Sequence, residues 1–138
     1  MNLTPFLLFE GNCAEAMRFY QSCFGGELEI TLLRETPMAA NAPVHLHDKV
    51  AYSHLQGGGI DISATDWQHQ TRHPRQGNTV AMYLTGAGYA ELKPAFDKLA
   101  DGADPALLDE LRDEPFGVYG HLADRFGVHW FFRGDAAG

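Results

Sequence analysis

The order of structural signals along this chain occurs twice, and that repetition limits the fold more than any single residue does. Leu3 to Phe9 is a short apolar run closed by Gly11-Asn12, the pattern of a buried strand. Asn12 with Glu15 three residues on resembles a capping box. Ala16, Phe19, Tyr20 and Cys23 then recur at helical spacing until Gly25-Gly26 stops them. Glu27 to Arg34 alternates, with Leu28, Ile30 and Leu32 on one face. Lys49 to Gln56 and Ile60 to Thr65 are two further strand-like runs, joined by Gly57-Gly58-Gly59. Asn78 to Thr85 starts the pattern again, followed by helical spacing of Leu92, Phe96 and Leu99 up to Gly102. Ala106 to Arg112, Tyr119 to Ala123 and Val128 to Arg133 supply the last strands. Gly11 with Gly88, Phe19 with Phe96 and Gly25 with Gly102 are each 77 residues apart.

The expectation is one α+β domain of tandem βαβββ units, residues 3–66 and 78–133, with a polar, His-rich linker over 67–77 that carries Pro74. Three segments are less regular. Pro94 implies that the second helix either starts near Lys93 or kinks. Glu35 to His47 has two prolines and no period, so a loop of this length is a lid or a partner contact. Asp135 to Gly138 reads as a frayed tail.

At 138 residues the chain suits a single core. A net charge of -8 with only ten scattered Lys and Arg argues against nucleic acid as a partner, since phosphate binding needs clustered cations. No apolar stretch is long enough to span a bilayer, and Met1 to Glu10 lacks the basic start of a signal peptide, so a cytoplasmic protein with no membrane partner is expected. Cys13 and Cys23 share one helix about 15 Å apart and cannot form a disulfide with each other. They read as small buried apolar residues.

Three motifs carry a family resemblance: Pro5-Phe6-Leu7-Leu8-Phe9-Glu10-Gly11-Asn12-Cys13, the pair Arg18-Phe19-Tyr20 ahead of Phe24-Gly25-Gly26, and Gly120-His121-Leu122-Ala123-Asp124-Arg125-Phe126-Gly127-Val128-His129-Trp130. Together they resemble the PhnB-like branch of the vicinal oxygen chelate superfamily, the glyoxalase, bleomycin-resistance and extradiol-dioxygenase group. The resemblance covers Leu3 to Arg133. It implies curved mixed sheets around a cleft that holds a metal or a small ligand, and it implies a homodimer.

Metal-dependent members of that superfamily place a His, Gln or Glu on the first and last strand of each unit. Matching the motifs puts those positions at Pro5, near Asp61, at Asn78 and near Phe131. Only Asp61 is a good donor, so no cofactor is expected. A divalent metal, if present, would rest on Asp61 with His54 or His121.

Other residues bear on a ligand site. His45-Leu46-His47-Asp48 with His54 has ligand-like spacing, but with no Cys or carboxylate at fixed metal-ligand spacing beside it the group reads as a polar loop edge, while His69 and His73 sit in the linker. His121 and His129 lie on strands, and His121 is the candidate general acid or base. Trp67, Tyr83, Phe116, Tyr119, Trp130 and Phe132 are divided between lining a pocket and packing a core. Arg125 either pairs with Asp124 or reaches a ligand anion. The ligand-binding set is therefore His54, Asp61, Trp67, Asn78, Tyr119, His121, Arg125 and Trp130. Three functions follow: a small-molecule binder without the usual metal, a divalent-metal lyase, isomerase or dioxygenase, and a structural or regulatory dimer.

Overall fold

The structure, a computed structural model, describes residues 1–136, so Ala137 and Gly138 of the expected tail lie outside the described residues. The chain divides into two compact units, Met1–Arg75 and the remainder from Gln76. In unit 1, strand β1 (Phe6–Phe9) leads into helix α1 (Cys13–Phe24), then β2 (Glu27–Leu32), β3 (Val50–Gly57) and β4 (Ile60–Asp66). The sheet order is β1-β4-β3-β2, with β1 parallel to β4 and the other pairs antiparallel. Unit 2 repeats this with β5 (Met82–Gly86), α2 (Tyr89–Ala100), β6 (Asp109–Glu114), β7 (Gly117–Ala123) and β8 (His129–Gly134), in the order β5-β8-β7-β6. The expected α+β class with two βαβββ units is what the chain forms.

Each helix covers one face of its own sheet, because an isolated twelve-residue helix is marginal in water and must bury its apolar stripe. Cys13, Ala16, Met17, Tyr20 and Cys23 of α1 are buried, as are Leu92, Phe96 and Leu99 of α2. Buried Tyr20 therefore corresponds to Phe96, 76 residues on, while Phe19 is only half-buried. Both helices are twelve residues long and the caps Asn12 and Gly25 correspond to Gly88 and Asp101, so the structural offset is 76 throughout and the expected matches at 77 are one residue out of register. Phe96 meets Phe132 edge-on at 5.1 Å between ring centroids. Gly120 permits that approach: a Cβ there would lie 2.9 Å from Phe96 Cε2 and 3.0 Å from Leu111 Cδ1. Gly120→Ala is expected to cost about 1–3 kcal/mol through overpacking, read as a lower urea midpoint at unchanged m.

Several boundaries differ from the sequence expectation. Strand β5 begins at Met82 rather than Asn78, because among the described residues its only neighbour is β8 and Met82 already pairs with Trp130; the earlier residues would face the β7–β8 turn. Strand β6 begins at Asp109 rather than Ala106, since Pro105–Leu107 form a 3-10 turn whose Ala106 N–H donates to Asp104 Oδ1 at 3.0 Å. Helix α2 starts at Tyr89 rather than Lys93 and runs through Pro94. The Glu35 to His47 loop contains 3-10 turns at Pro37–Asn41 and Val44–Leu46. His47 Nε2 fastens it to the carbonyls of Ala39 and Ala42, at 3.0 and 3.1 Å.

The start of α1 is satisfied differently from a capping box. The Asn12 side chain makes no capping bond. Instead buried Asp66, at the end of β4, accepts the N–H groups of Gly11 and Cys13 on Oδ1 (2.9 and 3.0 Å) and that of Val50 on Oδ2 (2.9 Å). One carboxylate thus ties β4, β3 and the helix start together.

Candidate functional site

Because successive strand residues face opposite ways, each sheet has one face under its helix and one left open. On unit 2 the ladder sets the open face in rows. Thr85, Arg133, Tyr119 and Arg112 form one row across β5, β8, β7 and β6. Tyr83, Phe131, His121 and Asp109 form the next, and His129 stands opposite Ala123 beyond it. Phe131 and Tyr83 are exposed, and Phe131 lies 4.4 Å from the His121 ring and 6.2 Å from that of Tyr119. A large aromatic is normally spared such exposure by packing, so these rings form a platform of the kind small-molecule sites use.

His121 Nε2 lies 3.2 Å from His129 Nδ1, so one ring donates and the other accepts. Asp109 Oδ2 stands 4.0 Å from His121 Nδ1. Burial pushes the His121 pKa below its ordinary 6.5, and neighbouring His129 pushes it further, against the opposing charge of Asp109. Neutral His121 is therefore the resting form near pH 7. An unfolded chain takes up this proton near pH 6.5 and the folded chain only at lower pH. The contribution to stability is then complete above 6.5 and is lost as pH falls through the folded pKa. His121→Gln is expected to flatten the loss of stability that the wild type suffers from about pH 6.5 to 5, measured as urea midpoints.

A cavity of about 480 Å³ lies within unit 2, beside the β7–β8 turn. Asn78, Asp104, Leu107, Ala123, Gly127 and His129 are among its lining residues. Asp124 also borders it, but its carboxylate is engaged: Oδ1 accepts from Phe126 N (2.8 Å) and Val128 N (3.1 Å), and Oδ2 from the Trp130 indole N–H (2.9 Å).

On unit 1 the open face carries Phe6 and Leu8, both exposed, with Tyr52, His54, Asp61 and Glu29. His54 Nε2 and Asp61 Oδ1 are 2.6 Å apart, so these two sequence-selected residues do meet. Tyr119 and His121 share the open face of unit 2, whereas the other selections lie elsewhere. Trp67 donates its indole N–H to the Arg72 carbonyl and stacks on His69. Trp130 is buried under α2 rather than presented on the open face, and so is Phe132. Arg125 reaches Asp101, at 3.1 Å from the carboxylate and 3.0 Å from the carbonyl. Both cysteines are buried, and burial pushes the Cys13 thiol up to about 11, which keeps it neutral.

The positions expected for a metal do not supply a donor set. Pro5 and Phe131 have no donor atom, Asn78 lies ahead of β5, and Asp61 is taken by His54. Among the described residues no three His, Cys, Asp or Glu side chains are grouped to hold an ion. The residues that sequence reasoning passed over are His129 as partner of His121, Asp109, Arg112 and Arg133. A hairpin register drawn through the Asp124–Gly127 turn would have placed both histidines on one face.

Comparison with known proteins points one way. The family model described as 3-demethylubiquinone-9 3-methyltransferase matches residues 1–132. Protein YjdN of Escherichia coli is 29% identical over 144 residues, covering 96% of this chain and 95% of its own length. Protein PA1353 from Pseudomonas aeruginosa superposes with a TM-score of 0.81 at 27% identity, covering 99% of each chain. A PhnB protein from Bacillus cereus superposes at 0.69 with 26% identity, covering 96% of this chain and 98% of its own.

Proposed function

The chain belongs to the family described as 3-demethylubiquinone-9 3-methyltransferase, within the PhnB-like branch of the glyoxalase and bleomycin-resistance superfamily, and from that membership we propose that it binds a small molecule, as a homodimer without a resident metal. The observation that carries the proposal is the open face of unit 2, where exposed Phe131 and Tyr83 adjoin the His121–His129 pair. Exposed rings beside a neutral, hydrogen-bonding imidazole suit a ligand with one flat apolar side and one polar edge. Tyr119 and His121 serve as orienting groups. His121 is also the group placed to take or give a proton, with His129 as its hydrogen-bond partner and the negative charge of Asp109 nearby to favour its protonated form.

Methyl transfer is not part of this reading. A nucleoside methyl donor needs a cradle, and Gly57-Gly58-Gly59 instead closes the antiparallel β3–β4 hairpin, at φ of 147, 59 and 89°. Metal chemistry is left out because of the donor set, in which Pro5 and Phe131 contribute nothing. The buried thiols of Cys13 and Cys23 accord with a reducing cytoplasm, which is part of the same proposal.

Elemental analysis of protein purified without chelator, followed by titration with nickel, zinc, manganese and iron, tests the reading. We expect well under one equivalent of metal and no stabilisation by any of the four ions. Tight stoichiometric metal would overturn the metal-free binder and favour a metal-dependent lyase, isomerase or dioxygenase. Sedimentation at micromolar concentration should return a dimer, and a monomer would remove the homodimer from the proposal.

A further inference from the structure

The charges on the open face of unit 2 are unequally satisfied. Arg112 has Glu114 at 3.6 Å, and Asp109 has His121 at 4.0 Å. Arg133 is different. Among the described residues no carboxylate lies within 4.0 Å of its guanidinium, which sits 5.4 Å from the Phe116 ring centroid. Stacking on a ring fixes the plane of the guanidinium and leaves its N–H edge for an acceptor, an arrangement that suits a planar carboxylate.

The surroundings specify the rest of the ligand. Phe131 is two residues from Arg133 on β8 and faces the same way, at a separation of roughly 7 Å along the strand. Tyr83 pairs with Phe131 on β5, and Tyr119 stands beside Arg133 on β7. We infer that this face selects a flat aromatic molecule bearing a carboxylate, with Arg133 gripping the anion and Phe131 and Tyr83 supporting the ring. The inference rests on the small-molecule-binding reading above and adds the chemical class of the ligand.

Calorimetric titration of the full chain at near-physiological salt with 2-naphthoate and its neutral isostere 2-naphthamide tests it. The carboxylate is expected to bind at least tenfold more tightly than the amide, roughly the effect of one charge-assisted fork. Arg133→Gln should erase that preference, and Arg133→Lys should restore only part of it, because it keeps the charge and loses the fork. Arg133 is exposed, so neither variant disturbs the core. Equal binding of both compounds, or an Arg133→Gln variant that keeps the preference, would overturn the anion assignment and leave the face as a binding surface. If neither compound binds, this inference fails; failure of a fluorescence screen of diverse small aromatics as well would take the binding reading with it.

Discussion

Replacing Asp66 with alanine is expected to lower the stability of unit 1 by about 3–5 kcal/mol, the largest effect of any single substitution considered for this protein. The carboxylate is buried and accepts three backbone N–H groups, from Gly11, Cys13 and Val50. Alanine leaves those donors facing a space without acceptors, and each buried orphan donor costs about 1–3 kcal/mol. Part is recovered, because the desolvation of a buried charge is removed and water can reach Gly11, which is exposed. Asp66→Asn separates hydrogen bonding from shape, since an amide retains one acceptor oxygen and gains an N–H that faces donors. It should fall between wild type and alanine. Urea denaturation followed by far-UV circular dichroism reads both, and an alanine variant within 1 kcal/mol of wild type would refute the role given to this carboxylate.

The second large effect is on unit 2. Asp124→Ala is expected to cost about 3 kcal/mol and to change tryptophan emission. Its Oδ1 takes the N–H groups of Phe126 and Val128 across the β7–β8 turn, and its Oδ2 takes the Trp130 indole N–H. Trp130 is buried, so the indole keeps its apolar contacts and loses its polar partner. The turn that loosens also sets the start of β8, where His129 stands, so the His121–His129 bond should weaken with it. Histidine NMR resonances that respond to Asp124→Ala would report this coupling; unchanged resonances in a destabilised protein would confine Asp124 to the turn.

Much of the fold was legible because apolar alternation and glycine stops are local signals. Leu28, Ile30 and Leu32 marked β2, and Gly25-Gly26 ended α1 where it does end. The errors share a cause. Asn78 to Ala81 carry strand-like residues, yet β8 has no ladder left to offer them. Ala106 and Leu107 look extended in sequence, but Asp104 and Pro105 curl them. Asn12 resembles a cap, but Asp66, more than fifty residues away, supplies the acceptor. Each outcome depends on a distant partner.

The site was less legible still. His54 and Asp61 could be selected by residue type and were found 2.6 Å apart, whereas Trp130 and Arg125 were selected by type and are committed to the buried Asp124 carboxylate and to Asp101. Arg133 had no local mark of interest. Its importance arises from what surrounds it: Phe116 beneath, Tyr119 beside it, and no carboxylate among the described residues within reach.

By itself the sequence determined the repeated βαβββ order, since hydrophobic period and glycine placement act over a few residues and do not require knowing which strand lies next to which. Strand pairing, and with it the rows of side chains on each open face, was decided only by the tertiary structure, because a shift of one residue in register would send Arg133, Phe131 and His121 to the opposite side of the sheet.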